Sequence, residues 1–288
     1  MLSLHCQVIL TSNENIGRSG GTMNILVAVK YVPDTDEIRI DEATGTMIRE
    51  GIPGIINPLD LYAVEEALRL RERYGGKIVA LSMGPPAAEA ALREALSMGV
   101  DQAFLLTDRR FAGADTWATA YTLSRAAKKL GPFDLILCGE RATDGETGQV
   151  GPELGAMLGL PVITYVSQIE ELCPPSAKPG WIRCRRLTEE GYQRVETSLP
   201  ALLTVVKEIN EPRLPTFQGK LAARRARIHR LSLEDLDLKP QETGLEGSPT
   251  RVVKVFYPSL ARATKMVNAS PEKAVEEIVS FLREKALL

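Results

Sequence analysis

The densest group of residues suited to ligand chemistry is a glycine-rich loop between an apolar run and a predicted helix. The run Leu135–Cys138 is followed by Gly139–Gly151, which reads GERATDGETGQVG. Backbone N–H groups at a helix start are unpaired and lie at the positive end of the helix dipole, so the N–H groups of Thr147–Gly151 could receive a phosphate or pyrophosphate. A tight polar turn with a Thr or Asp cap explains the same spacing about equally well.

Polar residues also follow or open other predicted elements at the same edge of the sheet. Asp34 follows the first strand, where ligands of open α/β folds bind, and Asn57-Pro58 opens a helix. Met83 lies in an equivalent strand end, and Asp115-Thr116 opens another helix, where it could bond the ribityl or phosphate oxygens of a ligand. Singly, each group is better explained as a turn or a helix cap. Together they indicate one crevice.

Residues for metal or acid–base chemistry are scarce. The four cysteines form no CxxC pair and the chain has two histidines, so a zinc or iron–sulfur site is not expected. Neither a GxGxxG after the first strand nor a GxxxxGK[ST] occurs. No Ser-His-Asp set or carboxylate pair suggests catalysis. The pattern favours a protein that binds a nucleotide or a nucleotide cofactor and leaves the chemistry to that cofactor.

Two other functions use the same kind of crevice. One is a nucleotide-binding stress or signalling module without redox chemistry. The other is a nucleotide-hydrolysing or adenylating enzyme, which needs a basic or metal-coordinating group at the phosphates, and the loop offers only Arg141 for that role.

The charge and hydropathy of the chain limit the classes of partner that it is expected to bind. Lys and Arg number 35 against 37 Asp and Glu, a net charge of −2, so the chain lacks the positive field of a nucleic-acid-binding protein. The basic stretch Lys220–Arg230 is better explained as a solvated helix face. No apolar run approaches the length of a membrane span, and residues 1–22 lack the features of a signal peptide. We therefore expect a cytoplasmic protein without direct membrane insertion.

Alternating apolar runs and amphipathic segments indicate the fold class. They predict an α/β fold with a mostly parallel, doubly wound sheet and helices on both faces. The later runs Trp181–Leu187, Tyr192–Thr197 and Ala201–Val206 predict antiparallel additions. The predicted parallel strands are Ile25–Val29, Ile78–Ser82, Ala103–Leu106, Leu135–Cys138 and Val162–Val166; the predicted helices are Leu59–Tyr74, Ala87–Ser97, Asp115–Leu130 and Pro152–Leu158.

Three regions are predicted along the chain. Residues 1–22 form an extension, and Met23 is the expected biological start. Residues 23–209 form the nucleotide-binding domain, with a small hairpin at Ile38–Ile48. Residues 210–288 form an extended arm that buries its surface on a partner. The arm contains a linker at Lys239–Thr250, a short strand near Val252–Phe256 and a helix at Pro271–Lys285 capped by Ser270.

Several short motifs occur in the order typical of one family. They are Leu26-Val27-Ala28-Val29-Lys30, Val32-Pro33-Asp34-Thr35, Asn57-Pro58 with Ala63–Leu68, Asp144-Gly145 with Thr147, Gln149 and Gly151, and Asn210-Glu211-Pro212-Arg213. From Met23 almost to its end the sequence resembles the β-subunit of electron transfer flavoprotein. The resemblance implies an adenine-nucleotide-binding α/β fold and an obligate heterodimer with an α-subunit that carries an electron-transferring FAD.

The resemblance also implies the site residues. Carried over by motif, the shell around an adenosine phosphate uses Ala28, Asn57, Pro58, Met83 and the loop Gly139–Val150, extending to Gly151. Together with the crevice residues argued above, the predicted cofactor-binding set is Ala28, Asp34, Asn57, Pro58, Met83, Asp115, Thr116, Thr119, Cys138, Gly139, Arg141, Asp144, Gly145, Thr147, Gly148, Gln149, Val150 and Gly151. A loop that meets partner dehydrogenases corresponds to Arg213, Leu214, Pro215, Thr216 and Phe217. The anchor of that loop is often a leucine in the family, whereas the matching position here is Phe217.

The choice of cofactor lies between FAD and AMP. β-subunits of the family hold either a structural AMP or, in members that bifurcate electrons from NADH, a second FAD. The strings Gly113–Thr119, Asp144–Thr147 and Gln149–Pro152 look more like the bifurcating members. The resemblance thus favours FAD, with electrons passing from NADH to the α-subunit flavin and to a low-potential acceptor such as ferredoxin. The alternative is an AMP-binding subunit serving acyl-CoA dehydrogenases, with a membrane quinone reductase as a further partner.

Overall fold

A nine-stranded sheet forms the centre of the computed structural model, which describes residues 22–34, 53–175, 179–253 and 266–288. The strands are β1 (Met23–Ala28), β2 (Tyr31–Pro33), β3 (Gly54–Ile56), β4 (Gly76–Met83), β5 (Gln102–Leu106), β6 (Leu135–Gly139), β7 (Val162–Cys173), β8 (Trp181–Thr188), β9 (Gly191–Ser198), β10 (Ala201–Val205) and β11 (Ile228–Leu231). The helices are α1 (Pro58–Tyr74), α2 (Glu89–Met98), α3 (Thr116–Leu130), α4 (Val150–Leu158), α5 (Phe217–Arg225) and α6 (Pro271–Glu284).

The strand order confirms the predicted fold class. The large sheet runs β11-β5-β4-β1-β6-β10-β7-β8-β9, and every pair from β11 to β7 is parallel. β8 and β9 add to the β7 edge as antiparallel strands, as predicted. The third predicted antiparallel addition, Ala201–Val206, was wrong in its direction: β10 lies between β6 and β7 and is parallel to both, which agrees with its fully buried, largely apolar sequence. β2 and β3 form a separate antiparallel pair. No helix in the described ranges is long and apolar enough to cross a membrane.

The core has two layers, one on each face of the sheet. Successive side chains of a strand point to opposite faces, and in β1 Ile25 and Val27 join the cluster with α1 and α2, whereas Leu26 joins the cluster with α3 and α4. The connections between parallel strands are right-handed crossovers. Helices that connect strands added in one direction across the sheet therefore lie on one face, and helices that connect strands added in the opposite direction lie on the other face. The chain turns back between β5 and β6, so β1 and β6 lead to helices on opposite faces.

Helix α1 follows from local sequence signals. Pro58 occupies the first turn, where its missing N–H costs nothing, and Gly75 ends the helix with φ +76°. Its inner face buries Val64 and Leu68 completely. Arg69 pairs with Glu65 one turn earlier, with Nε 2.7 Å from Oε1.

The C-terminal third differs from the predicted arm. Residues 210–253 belong to a first compact unit that ends at Val253, and β11 extends the large sheet beside β5. β11 has four residues with a mixed polar pattern, so its sequence carries no strand signal. The predicted linker, residues 239–250, buries Thr243 and Ser248. This stretch is therefore folded against the rest of the unit.

Some predictions fall outside the described residues. These are the hairpin at Ile38–Ile48, the N-terminal extension apart from Thr22, and all but two residues of the strand near Val252–Phe256; Val252 and Val253 lie in no strand. The second compact unit comprises Lys254–Leu288. It contains α6, which begins at Pro271 after Ser270, close to the predicted bounds.

Candidate functional site

The candidate site lies where the chain reverses direction across the sheet. The carboxyl ends of β1 and β6 are neighbours, and Ala28 pairs with Cys138 across them. Because β1 leads to α1 on one face and β6 to α4 on the other, the loops diverge and leave a crevice, which is where open α/β sheets bind ligands. Burial raises the pKa of the Cys138 thiol to about 12. The thiol is therefore a neutral part of the crevice wall.

Asp60 joins the two strand ends. Its Oδ2 accepts the N–H of Lys30 at 2.7 Å, and its Oδ1 accepts the N–H of Gly139 at 3.2 Å. A Cβ on Gly139 would collide with this carboxyl group, so only glycine permits the contact. Burial raises the pKa of Asp60 to about 7, although the hydrogen bonds from Lys30, Asn57 and Gly139 and the charge of Lys30 favour its ionised form. Asp60 was not among the predicted site residues.

Asn57 shapes the loop after β6. Its Nδ2 donates to the carbonyl of Arg141 at 2.9 Å, and its Oδ1 accepts the N–H of Thr143 at 3.2 Å. The side chain is buried and makes no cap bond to α1. The predicted pair Asn57-Pro58 thus lies at the crevice, with Asn57 as a support for the loop and Pro58 exposed at the helix start.

An ion pair joins Lys30, two residues after the end of β1, to the same loop. Lys30 Nζ lies 2.6 Å from Oδ1 of Asp144, whose side chain is 4% exposed. The pair connects positions 114 residues apart. Asp144 is one of the predicted cofactor contacts, and the structure gives it this internal partner. Arg141, also predicted, lies 3.5 Å from the carboxylate of Glu140 and 4.0 Å from that of Glu146.

The predicted phosphate donors, the N–H groups of residues 147–151, lie at the end of the loop between β6 and α4 and in the first turn of α4. Within the described ranges, no backbone or side-chain acceptor receives the N–H groups of residues 147–151. Gly148 turns the chain with φ +64°. Gln149 follows it directly, and Gly145 lies three residues before it. Gly151 is buried, and a Cβ there would lie 2.5 Å from Cγ2 of Thr204 in β10. Here we call residues 147–151 the donor turn.

This geometry suits an anionic nucleotide group. The missing side chain at Gly151 lets α4 approach the sheet, so the first N–H groups of α4 reach the crevice. Five consecutive backbone donors at a helix start match the acceptor oxygens of a phosphate or pyrophosphate. The donor turn therefore fits the group that the sequence predicts.

Helix α3 begins beside α4, and Asp115, a predicted cofactor contact at its start, forms hydrogen bonds with other residues of the chain. Oδ1 of Asp115 caps α3 by accepting the N–H of Ala118 at 3.0 Å. Oδ2 accepts the N–H and the hydroxyl of Thr250 at 3.0 and 2.8 Å, and the N–H of Asp115 donates to Ser248 Oγ at 2.8 Å. Both carboxylate oxygens thus bind the chain itself, which fastens residues 248–250 to this helix start.

Thr116 is brought to the donor turn. Its hydroxyl lies 3.3 Å from Oε1 of Gln149 and 3.2 Å from Oε1 of Glu153. Burial raises the pKa of Glu153, and the nearby charge of Asp115 adds to the effect while the bond from Thr116 opposes it. Thr119 lies in the first turn of α3.

The two remaining predicted contacts lie at other strand ends. Met83 is the last residue of β4 and packs half-buried against the α3 and α4 face. Asp34 follows β2, is exposed, and donates its N–H to the carbonyl of Pro53 at 2.9 Å.

The predicted partner loop is fixed on α1. Arg213 forms a two-pronged contact with Glu65, with Nε 2.8 Å from Oε2 and Nη2 3.1 Å from Oε1, and a second contact with Glu72. The adjoining Leu214 and Phe217 are 88% and 78% exposed, which is unusual for large apolar side chains. Pro215 is half-buried, and Thr216 caps α5 by accepting the N–H of Gly219 at 3.0 Å.

Comparison with known proteins identifies the family. A family model described as "Electron transfer flavoprotein domain" matches residues 44–236, more than half of the chain. The chain belongs to the electron transfer flavoprotein family. The resemblance stated from the sequence is thereby confirmed.

Relatives of this electron transfer flavoprotein chain cover nearly all of it. The electron transfer flavoprotein subunit beta of Thermoanaerobacterium thermosaccharolyticum is 46% identical over 267 residues, 92% of this chain and 100% of the relative. The caffeyl-CoA reductase-Etf complex subunit CarD of Acetobacterium woodii is 43% identical with the same coverage of each chain. Protein FixA of Bradyrhizobium diazoefficiens is 40% identical over 92% of this chain and 93% of the relative. The name "subunit beta" implies a partner subunit alpha.

Proposed function

We propose that this chain is the β-subunit of a heterodimeric electron transfer flavoprotein and that its crevice binds FAD. The donor turn is the observation that carries the proposal, because it presents unpaired backbone donors at the carboxyl edge of the sheet, in a family of flavoproteins. The proposed site also includes Thr116, Arg141 and the other cofactor contacts predicted around the donor turn.

The proposed reaction is electron bifurcation. A bound flavin supplies the exchange between the paired electrons of NADH and single electrons. The residues of this chain bind and orient that cofactor: the donor turn holds its phosphates, while Asp60 and Asn57 fix the loops on either side. Electrons would leave towards the α-subunit flavin and towards a low-potential acceptor such as ferredoxin. The proposal includes a cytoplasmic location.

The partner loop supports a second part of the proposal. Leu214 and Phe217 offer apolar contact area to a dehydrogenase or a membrane quinone reductase. One relative, CarD, is named as part of a complex with caffeyl-CoA reductase. A similar arrangement for this chain would dock a reductase or dehydrogenase at the partner loop.

Counting the bound nucleotides tests the proposal. The chain is co-expressed with its α-subunit, the heterodimer is purified, and the nucleotides are released and quantified. We expect two FAD per heterodimer and bleaching of flavin absorbance by NADH. One FAD and one AMP would replace bifurcation by the AMP-binding function that serves acyl-CoA dehydrogenases. A colourless protein would contradict both redox functions and leave a nucleotide-binding module without redox chemistry.

A further inference from the structure

Tyr165 has an unusual backbone conformation next to the candidate site. In β10, Leu203 pairs with Ile163 of β7 and Val205 pairs with Val166. Thr204, the single residue between them, therefore lies opposite two residues of β7, Thr164 and Tyr165. This is a bulge, which is rare between parallel strands. Tyr165 has φ +56°, a left-handed conformation that is a clear outlier for an aromatic residue. Such strained residues cluster at ligand sites, where a bulge redirects a side chain.

Thr204 holds this conformation in place. Its Oγ1 accepts the N–H of Tyr165 at 3.1 Å. The methyl group of the same Thr204 fills the space opposite Gly151 at the start of α4. One buried side chain therefore supports both Tyr165 and the donor turn, so the two keep a fixed spacing.

The hydroxyl of Tyr165 reaches the donor turn. It lies 3.6 Å from the position that a Cβ on Gly148 would occupy. The side chain is 40% exposed, and in the described part of the chain its hydroxyl has no hydrogen-bond partner. A phenol is a good donor to a phosphate oxygen. The redirected side chain thus adds one donor at the exposed rim, next to the backbone donors of residues 147–151.

We propose that Tyr165 is a specificity-determining residue that hydrogen-bonds the second phosphate of a dinucleotide. The donor turn takes the phosphate nearer the helix start, and Tyr165 meets the neighbouring phosphate at the rim. FAD has both phosphates, whereas AMP has one. Tyr165 therefore favours FAD over AMP at this site. This inference rests on the proposed nucleotide-binding function.

Removing the hydroxyl tests the inference. Heterodimers of the wild type and of Tyr165→Phe that keep the α-subunit FAD but are freed of nucleotide in the crevice are titrated with FAD, followed by flavin fluorescence, and with AMP, followed by calorimetry. The loss of one hydrogen bond to a charged group is expected to weaken FAD binding by roughly tenfold or more and to leave AMP binding within about twofold. Tyr192→Phe, at an exposed tyrosine of β9, is the matched control and is expected to change neither.

Equal weakening of both nucleotides, or unchanged FAD binding, in Tyr165→Phe would overturn the inference. A wild-type heterodimer whose crevice binds neither nucleotide would contradict the proposed function instead, so the two failures are distinguishable.

A second variant tests whether the conformation serves binding. Tyr165→Gly adopts the positive φ without strain, so the heterodimer freed of nucleotide in the crevice is expected to keep its thermal midpoint while FAD binding weakens at least as much as in Tyr165→Phe. A lower midpoint with unchanged FAD affinity would mean that the ring serves only the fold, and the inference would be refuted.

Discussion

Asp60 provides a pH-dependent prediction about the junction of the two strand ends. Its carboxyl group is 6% exposed, and burial raises its pKa from 3.8 to about 7. Between these values the folded protein keeps a proton that the unfolded chain releases. The free energy of unfolding therefore falls as the pH rises from about 4 to about 7 and changes little from this group above that range.

The size of the effect follows from the two pKa values. Each pH unit between them corresponds to about 1.4 kcal/mol, so Asp60 alone lowers the stability by roughly 2 kcal/mol between pH 5 and pH 7. Asp60→Asn is neutral at every pH and removes this dependence. Asparagine has one acceptor oxygen for the N–H groups of Lys30 and Gly139, so at pH 5, where Asp60 is protonated, the variant is expected to be about 1–3 kcal/mol less stable than the wild type.

Urea unfolding from pH 5 to pH 8, followed by circular dichroism, measures this difference. Burial also raises the pKa of Glu66, so the wild-type profile alone does not isolate Asp60. The stability difference between wild type and Asp60→Asn is expected to shrink by roughly 2 kcal/mol from pH 5 to pH 7. Glu189→Gln, on the exposed turn between β8 and β9, is the control and is expected to run parallel to the wild type. Parallel profiles for wild type and Asp60→Asn would refute the reasoning.

Three further variants test contacts around the site. Gly151→Ala forces a methyl group against β10 and is expected to lower the free energy of unfolding by about 1–3 kcal/mol, measured by thermal unfolding. Gly145→Ala is the control, because no atom lies within 4 Å of its Cβ position, and it is expected to leave the thermal midpoint unchanged. Arg213→Met leaves the buried Glu65 with one partner fewer, and hydrogen exchange of residues 210–225 is expected to quicken; unchanged exchange would contradict the role of this contact. Asp115→Ala removes a helix cap worth about 1–2 kcal/mol and is expected to speed proteolysis within residues 243–250.

Local signals predicted most of the fold. The apolar runs of β1, β4 and β6 and the start of α1 at Pro58 depend on neighbouring residues, so the sequence shows them directly. β11 was not predicted, because it is short and pairs on one side only, so few of its residues need to be apolar. Residues 239–250 look like a linker by composition, and their buried contacts with the start of α3 depend on distant residues.

The parts of the candidate site that depend on neighbouring residues were predicted, and the parts that depend on distant residues were not. The donor turn follows from a strand, a glycine-rich loop and a helix in succession. The pairing of Lys30 with Asp144 and the bulge at Tyr165 depend on residues that the fold brings together. Asp60 looked like an acidic residue in the first turn of a helix, a common position with a general electrostatic explanation.

The glycine at the start of α4 has a consequence for how this site responds to mutation. The donors of residues 147–151 are main-chain N–H groups, and alanine keeps every one of them. An alanine scan of Thr147, Gln149 and Val150 would therefore report small effects even though these residues supply donors of the proposed site. Gly151 would stand out instead, because alanine adds atoms where the approach of the helix requires an empty space. At the donor turn, the tolerance of a position to substitution measures the space around its Cβ rather than the part its main-chain N–H group plays in the proposed site.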